Sequence, residues 1–291
     1  MPHAPHGEPP SIEPEGAHAD RIRIGIGGWT YAPWRKNFYP DGLVQRRELE
    51  YASRQLRAIE INGTFYGAQK PATYARWAAE TPDDFVFSLK APRYVTEGKA
   101  LAHTGKGIAA FVHGGLEEFG DRLGPLLWQL PPSRPFDADD LAAFLEALPR
   151  DLNGRPLRHA LEVRHPGFRC EAYVALARRY AVPTVFTDSP DYPSLADLTG
   201  GAGNDFAYAR LMRSSVAHTD GYADAELDRW AQHARRWAAG DDPAELPHVC
   251  APLPARAPRE VFVFFISSAK ARNPAAAMAL QRRVDALAAA R

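Results

Sequence analysis

The strongest constraint on the fold is a repeating pattern along the chain. Short apolar runs rich in Val, Ile, Phe and Leu recur, and polar loop residues and then a stretch of helical periodicity follow each run. Such strands, which are apolar nearly throughout, indicate a parallel sheet that is covered on both faces. The pattern predicts eight strands, at residues 22–26, 58–62, 85–90, 125–130, 160–163, 184–187, 206–211 and 261–266.

Helical periodicity fills most of the intervals between these strands, and prolines stand near the helix ends, where a residue without a backbone N–H is tolerated. The interval after the sixth strand is weak, with only a short helix near 194–198, so one helix of the repeat is degraded there. The predicted helices are residues 42–55, 72–80, 108–119, 138–148, 171–180, 223–238 and 274–289.

Eight strand–helix units favour closure into a TIM-type (β/α)8 barrel, an α/β fold that one domain of this length accommodates. An open doubly wound sheet is the alternative. The first strand argues against it, because Gly25, Gly27 and Gly28 lead into Trp29 and do not spell G-x-G-x-x-G. We therefore expect a single barrel domain over residues 21–291, preceded by a disordered tail at residues 1–20.

Composition narrows the surroundings in which the protein works. The 35 basic residues balance the 35 acidic ones, so no overall field draws the chain to nucleic acid or to an anionic membrane. No run of ~20 apolar residues predicts a membrane span, and the first 20 residues lack the apolar core of a signal peptide. Cys170 and Cys250 are the only cysteines, which fits a reducing cytoplasm; the oligomeric state is left open.

Polar and ionisable residues stand at the ends of several otherwise apolar strands. In a parallel barrel the C-terminal strand ends meet at one rim, where catalytic groups are found. Because an unpaired buried charge costs several kcal/mol, we expect these groups to interact. The candidates are Glu60, Asn62, Lys90, Gln129, Glu162, Arg164, His165, Asp188 and Arg210.

Two kinds of chemistry follow from this set. In one, Lys90, Arg164 and Arg210 bind a small anionic substrate through charge-assisted hydrogen bonds, with Asn62 and Gln129 as polar contacts. Acid–base catalysis then falls to four residues: Glu60, Glu162, Asp188 and His165.

In the other, the carboxylates and His165 hold a divalent metal ion that activates water. This route is weaker, since only one histidine is present and the cations compete for the carboxylates. The chain shows no cofactor motif.

A third interpretation is a non-catalytic barrel in which Glu60, Lys90, Glu162 and Arg210 form structural ion pairs.

Aromatic residues crowd the loops after the first two strands. They either wall a ligand pocket by stacking or close one end of the barrel as a packed cluster. Trp29 and Tyr66 are the candidates for ligand contact. Stacking on these loops also permits nucleic-acid binding, although the balanced net charge argues against that function.

Several motifs together resemble the YecE-like family, also called domain of unknown function 72, from about Ile22 to Leu287. The resemblance implies a TIM-type barrel and no established activity. It rests on G-x-G-G-W-x-Y-x-x-W with F-Y-P (25–40), E-I-N-x-T-F-Y (60–66), the series Trp77, Pro82, Phe85 and Lys90, L-G-P-L-L-W-Q-L-P-P (123–132), L-E-V-R-H-P (161–166), Asp188-Ser189 and Y-A-R-L (208–211).

The chain departs from that family pattern in three places. The T-H pair common after Lys90 is replaced by residues 95–97, and Met212 stands where a histidine is frequent. After the last strand an Asn-rich segment becomes I-S-S-A-K-A-R-N-P, which adds Lys270 and Arg272. Fewer histidines favour anion binding over metal binding. We therefore expect an enzyme that acts on a phosphorylated sugar or nucleotide-like molecule, with a metal-dependent phosphoester-cleaving or nucleic-acid-binding barrel as the alternative.

Overall fold

A computed structural model describes residues 18–201 and 205–289. Within them eight strands form one parallel sheet, in the order β5-β4-β3-β2-β1-β8-β7-β6. The strands are β1 (Ile22–Gly27), β2 (Ala58–Ile61), β3 (Val86–Lys90), β4 (Leu123–Gln129), β5 (His159–Glu162), β6 (Phe186–Thr187), β7 (Phe206–Leu211) and β8 (Glu260–Phe265).

The helices lie around this sheet. Each strand except β6 leads into a helical segment, and a short two-stranded ribbon, Asp151–Leu152 with Arg155–Pro156, precedes β5. The helices are α1 (Glu48–Gln55), α2 (Pro71–Ala79), α3 (Arg93–Thr96), α4 (Gly105–Val112), α5 (Ala138–Ala147), α6 (Glu171–Arg179), α7 (Asp224–Ala238) and α8 (Asn273–Ala289).

The two ends of the strand order meet, so the sheet closes. The Leu161 N–H donates to Pro183 O at 2.9 Å, and the Val185 N–H donates to Leu161 O at 2.9 Å. These two bonds join β5 to the residues before β6. The predicted single-domain (β/α)8 barrel is confirmed, with its narrowest seam between β5 and β6.

Strand side chains alternate between two apolar layers, as a period of two requires. In β3, Phe87 and Leu89 pack in the large outer layer between the sheet and the helices. Val86 packs in the smaller layer inside the barrel, and Ser88 and Lys90 follow it at alternate positions. The same alternation sends a polar residue from the end of each of several strands into the barrel interior.

The barrel interior is filled in layers. At its N-terminal end the Glu260 carboxylate accepts from Arg23 Nε at 2.9 Å and from Arg158 Nη1. Apolar and aromatic side chains such as Phe262 and Phe264 occupy the middle. These two layers fill the lower barrel beneath the charged residues at the C-terminal end of the strands.

The segment after β6 replaces the expected helix with an irregular connection. Between residues 188 and 201 the structure contains no helix, so the short helix predicted near 194–198 is wrong. The backbone bonds to another loop instead: Ala196 N donates to Pro247 O, and the Asp197 carboxylate accepts from Val249 N and Cys250 N at 2.8 Å each. A small cavity of about 10 Å³ lies beside this segment, about the space that one water molecule needs.

The N-terminal region is described only from residue 18. Residues 1–17 of the predicted disordered tail lie outside the described residues, and Ala19–Arg21 form a 3-10 turn that leads into β1. No helix in the described ranges is long and apolar enough to cross a membrane.

A buried histidine fixes the start of β5. Trp128 Nε1 donates to His159 Nδ1 at 3.0 Å, so the proton of the neutral ring is on Nε2, which donates to Pro149 O at 2.7 Å. Burial lowers the pKa of His159 to about 4. The folded protein therefore holds this imidazole neutral well into the acid range.

We predict that His159 makes the protein less stable as the pH falls from about 6.5 to 4. In that window the unfolded chain binds a proton that the folded chain excludes, so the free energy of unfolding drops by up to about 1.4 kcal/mol per pH unit. Urea unfolding of wild type and His159→Phe across this range measures the effect. The variant should be less stable at pH 7 and show a flatter pH profile; parallel profiles would contradict the prediction.

Candidate functional site

An arginine and a glutamate form the centre of the site. Arg210, in β7, donates from Nη2 to Glu60 Oε1 at 2.9 Å and from Nε to Glu60 Oε2 at 3.1 Å. Glu60 lies in β2, and both side chains are at most 2% exposed. This is the two-pronged geometry in which guanidinium and carboxylate pair most strongly.

A second carboxylate flanks the same guanidinium. Arg210 Nη1 donates to Glu162 Oε2, and Arg164 Nε donates to Glu162 Oε1 at 2.8 Å. Burial raises the pKa of Glu162, but the neighbouring Arg210 and Arg164 outweigh it and hold that pKa below its usual value. Burial alone would lower the pKa of Arg210, yet Glu162 and Glu60 raise it. Glu162 and Arg210 therefore hold each other in their charged forms.

Further hydrogen bonds occupy the remaining acceptor positions of the Glu60 carboxylate. Asn62 Nδ2 donates to Oε1 at 3.0 Å, and the Tyr208 hydroxyl donates to Oε2 at 2.7 Å. Ser88 Oγ lies 2.8 Å from that hydroxyl, and Gln129 Oε1 lies 3.5 Å from Arg210 Nη1. Each oxygen of Glu60 thus accepts two bonds, so a ligand proton finds no free lone pair in good geometry.

Strand register explains why these residues meet. Glu60 pairs with Ser88 across β2 and β3, and Gln129 pairs with Glu162 across β4 and β5. Arg210 reaches both pairs from β7 on the far side of the barrel, so Glu60 and Glu162 meet near the C-terminal ends of the strands. We call Glu60, Glu162, Arg164 and Arg210 the rim ion cluster.

Lys90 lies beside this cluster without joining it. It ends β3 and is 9% exposed, and its ammonium makes no hydrogen bond or ion pair with any described residue. Its Nζ lies 3.7 Å from the centroid of the Phe65 ring, a cation–π contact. Burial, and then the positive charge of Arg210, lower the pKa of Lys90 to about 8 against the opposing effect of Glu162 and Glu60.

Asp188 belongs to a separate group. Its carboxylate accepts from Met212 N and, at 2.9 Å, from the Tyr222 hydroxyl. Burial raises the pKa of Asp188 to about 6, although these two donors oppose the shift. No hydrogen bond or ion pair among the described residues joins Asp188 to the rim ion cluster.

Three other candidates lie outside the rim ion cluster. His165 Nδ1 accepts from Gly167 N at 3.0 Å and caps a 3-10 turn. Trp29 packs edge-on against Trp77 at 4.9 Å in the outer layer, so it does not face the barrel interior. Tyr66 is 77% exposed and contacts the Phe65 ring, over which the Lys90 ammonium lies.

Sequence reasoning missed several contributors. Tyr208 and Ser88 precede Arg210 and Lys90 by two residues, and a period of two alone would have placed each pair on one face. Nothing in the sequence singles out Phe65, whose ring contacts Lys90, among the aromatic residues of these loops. Tyr192, whose ring lies 4.2 Å from the Arg164 guanidinium, comes from the irregular segment after β6 and carried no sequence signal.

Among residues 18–201 and 205–289, no three or more His, Cys, Asp or Glu side chains are grouped so as to hold a metal ion. Lys90, Arg164 and Arg210 are the cations that reach the barrel mouth around the two glutamates. Among these described side chains, three cations therefore stand against two carboxylates.

The fold and the site define a single-domain parallel barrel with a buried ion cluster at the C-terminal end of its interior. The family model described as "Protein of unknown function DUF72" matches residues 23–290. The chain belongs to that family, which confirms the resemblance inferred from its motifs.

Relatives of known structure share the barrel. A DUF72 family protein from Thermotoga maritima MSB8 is 21% identical and has a TM-score of 0.64, over 91% of this chain and 98% of that one. One from Enterococcus faecalis V583 is 15% identical with a TM-score of 0.63, over 90% of this chain and 96% of that one. At these identities the likeness concerns the fold alone.

A curated relative matches over a shorter stretch. The UPF0759 protein YunF of Bacillus subtilis (strain 168) is 29% identical over 75 residues. The match spans about a quarter of each protein, 26% of this chain and 26% of that one.

We predict that Glu60→Gln destabilises the protein strongly. The change removes a charge that is wholly buried against Arg210, and breaking one side of a buried pair costs about 3–5 kcal/mol. Tyr208→Phe is the matched control, since it deletes the hydroxyl that bonds to the same oxygen and to Ser88 Oγ, and it should cost about 2 kcal/mol. Equal free energies of unfolding in urea for the two variants would contradict a structural role for the ion pair.

We predict that removing the charge of Lys90 stabilises the protein, the opposite of the effect expected at Glu60. Its folded-state pKa of about 8 lies below the unfolded value, so burying the ammonium costs stability at pH 7. Lys90→Met should therefore raise the free energy of unfolding by about 2 kcal/mol at pH 7. The gain should shrink as the pH rises above about 8, because the wild type then loses the buried charge.

The exposed Lys99, in the same loop region after β3, is the matched control. Lys99→Met should change the free energy of unfolding by less than about 0.5 kcal/mol. A destabilised Lys90→Met would place Lys90 among the structural charges.

Proposed function

We propose that the protein is an enzyme that acts on a small anionic substrate at the C-terminal mouth of the barrel. The observation that carries this proposal is Lys90, a buried ammonium without a counter-ion beside two carboxylates that Arg210 already occupies. With Arg164 included, three cations face two anions. One uncompensated positive charge is therefore left at the mouth, which a carboxylate or phosphate group of the substrate would neutralise.

Arg164 is the proposed anchor for that anion. Its Nε is held by Glu162 at 2.8 Å and its Nη1 donates to the Tyr192 hydroxyl at 3.2 Å, so the guanidinium is fixed in orientation. Its side chain retains 15% exposure. A guanidinium held in this way presents its remaining N–H groups to a ligand with little further loss of entropy.

Lys90 is the proposed proton-transfer group. A pKa of about 8 leaves both the ammonium and the amine populated near neutral pH, as acid–base catalysis requires. Glu60 and Glu162, assigned to this role from the sequence, are better suited to position Arg210 and Arg164, because their oxygens are occupied. Asp188, whose pKa of about 6 also lies near neutrality, is the second proton-transfer candidate.

Aromatic side chains support a substrate of modest size. Phe65 covers one side of the Lys90 ammonium, and the exposed Tyr66 stands edge-on to Phe65 at 5.2 Å. Tyr192 borders Arg164. These rings would pack against the apolar part of a phosphorylated sugar or a nucleotide fragment.

Cys170 and Cys250 are free thiols, which supports a site of action in the cytoplasm.

A non-catalytic barrel is the second candidate, and the rim ion cluster favours it in part. Glu60, Arg210 and Glu162 are buried and paired as structural charges would be. Lys90 distinguishes the two functions. A structural role requires a partner for its charge, whereas a ligand-binding role requires the charge to be free.

We predict that sulfate, phosphate and citrate stabilise the wild-type protein in a thermal-shift titration at pH 7. Lys90→Met and Arg164→Ala should each weaken the apparent affinity about tenfold, the loss of one charge-assisted contact. Lys99→Met should match the wild type. The affinity should fall as the pH rises through about 8, because Lys90 then loses its positive charge.

Isothermal titration of the tightest anion checks the same ranking directly. Equal affinities for wild type, Lys90→Met and Arg164→Ala would overturn the proposed site.

A further inference from the structure

Lys90 combines three properties that a catalytic amine needs. It lies at the open end of the barrel, it is almost fully buried, and no described acceptor holds its nitrogen. The two nearest sources of negative charge, Glu60 and Glu162, are locked by Arg210 and Arg164 and do not capture it. The amine is thus left for a reaction partner.

We infer that Lys90 forms an imine with the carbonyl carbon of the substrate, and that the substrate is a small aldehyde or ketone carrying a carboxylate or phosphate group. This inference rests on the proposed function, because the anionic group would bind at Arg164 while the carbonyl group faces Lys90. Lys90 then acts as the nucleophile, and proton transfer falls to Asp188, the second candidate for that role.

The chemistry needs no oxidant, reductant or second reactant. The lone pair of the neutral amine attacks the carbonyl carbon, the carbon–oxygen double bond opens, and a proton moves from nitrogen to oxygen to give a carbinolamine. Loss of that hydroxyl as water, with the second nitrogen proton, leaves the carbon–nitrogen double bond. Addition of water reverses the sequence, so the amine is recovered.

The surroundings of Lys90 favour both the neutral amine that attacks and the protonated imine that forms. Burial and the nearby Arg210 guanidinium favour the neutral, nucleophilic amine. The face of the Phe65 ring, 3.7 Å away, stabilises a positive charge on the same nitrogen once a protonated imine has formed. Glu60 and Glu162 act on that charge at longer range.

Lys270 provides an internal comparison. Its ammonium also lies over aromatic rings, 4.8 Å from Tyr31 and 5.5 Å from Trp34, but it is only partly buried and belongs to the loop after β8. If aromatic contact alone made a lysine reactive, a carbonyl compound would react with Lys270 as well as with Lys90. Selective reaction at Lys90 therefore requires the anchor at Arg164.

The test uses the full chain with sodium borohydride and three carbonyl probes: glyoxylate, pyridoxal 5′-phosphate and the uncharged propionaldehyde. Reduction makes an imine permanent, and peptide mass mapping then locates it. We expect one adduct at Lys90 with the two anionic probes, none there in Lys90→Met, and wild-type labelling in Lys99→Met. The yield at Lys90 should increase as the pH rises through about 8, opposite to the affinity for sulfate.

Arg164→Ala separates the anchor from the amine. It should lower the yield at Lys90 with glyoxylate about tenfold and leave the yield with propionaldehyde unchanged. A site that prefers propionaldehyde, or labelling spread over Lys36, Lys99 and Lys270 at the level of Lys90, would overturn the imine.

The two proposals fail in different ways. No adduct at Lys90, together with retained Lys90-dependent binding of sulfate or phosphate, overturns the imine and supports the anion site. If neither an adduct at Lys90 nor Lys90-dependent binding of sulfate or phosphate is found, the proposed function is overturned as well.

Discussion

The barrel interior is organised by one guanidinium. Arg210 reaches inward from β7 and is held between Glu60 of β2 and Glu162 of β5, so a single side chain ties together three strands that are not neighbours. A buried arginine is tolerated only when its charge is compensated and its donors are bonded. Both carboxylates are committed by that requirement, and Asn62 and Tyr208 complete the shell of Glu60.

The same commitment shapes the chemistry of the barrel mouth. Carboxylates that are paired with guanidinium groups in this way position those cations and do not exchange protons readily. Lys90 is left beside the Phe65 ring without a counter-ion, and burial, followed by the positive charge of Arg210, lowers its pKa to about 8. In the proposed function, stability and ligand binding therefore fall to different residues: Glu60, Glu162 and Arg210 support the structure, whereas Arg164 and Lys90, which lies beside the rim ion cluster, would face the ligand.

Much of this arrangement could be predicted before any coordinates were known. The eight apolar runs gave the strands to within a few residues, and strand-end placement located Glu60, Glu162 and Arg210 at one level. Trp29 and His165 show the limit of that reasoning. Both follow a strand directly, yet Trp29 turns outward to Trp77 and His165 caps a backbone turn. Loop conformation decides such orientations, and strand periodicity does not extend into loops.

The sequence by itself determined the barrel and the inward-facing positions, because strand–helix alternation and a period of two are local properties of the chain. Only the tertiary structure decided which charges pair. Arg210 and Glu60 are 150 residues apart, and their contact depends on how the sheet closes and on the register of every strand between them. The unpaired state of Lys90 follows from that closure, since it depends on which neighbours Arg210 has already taken.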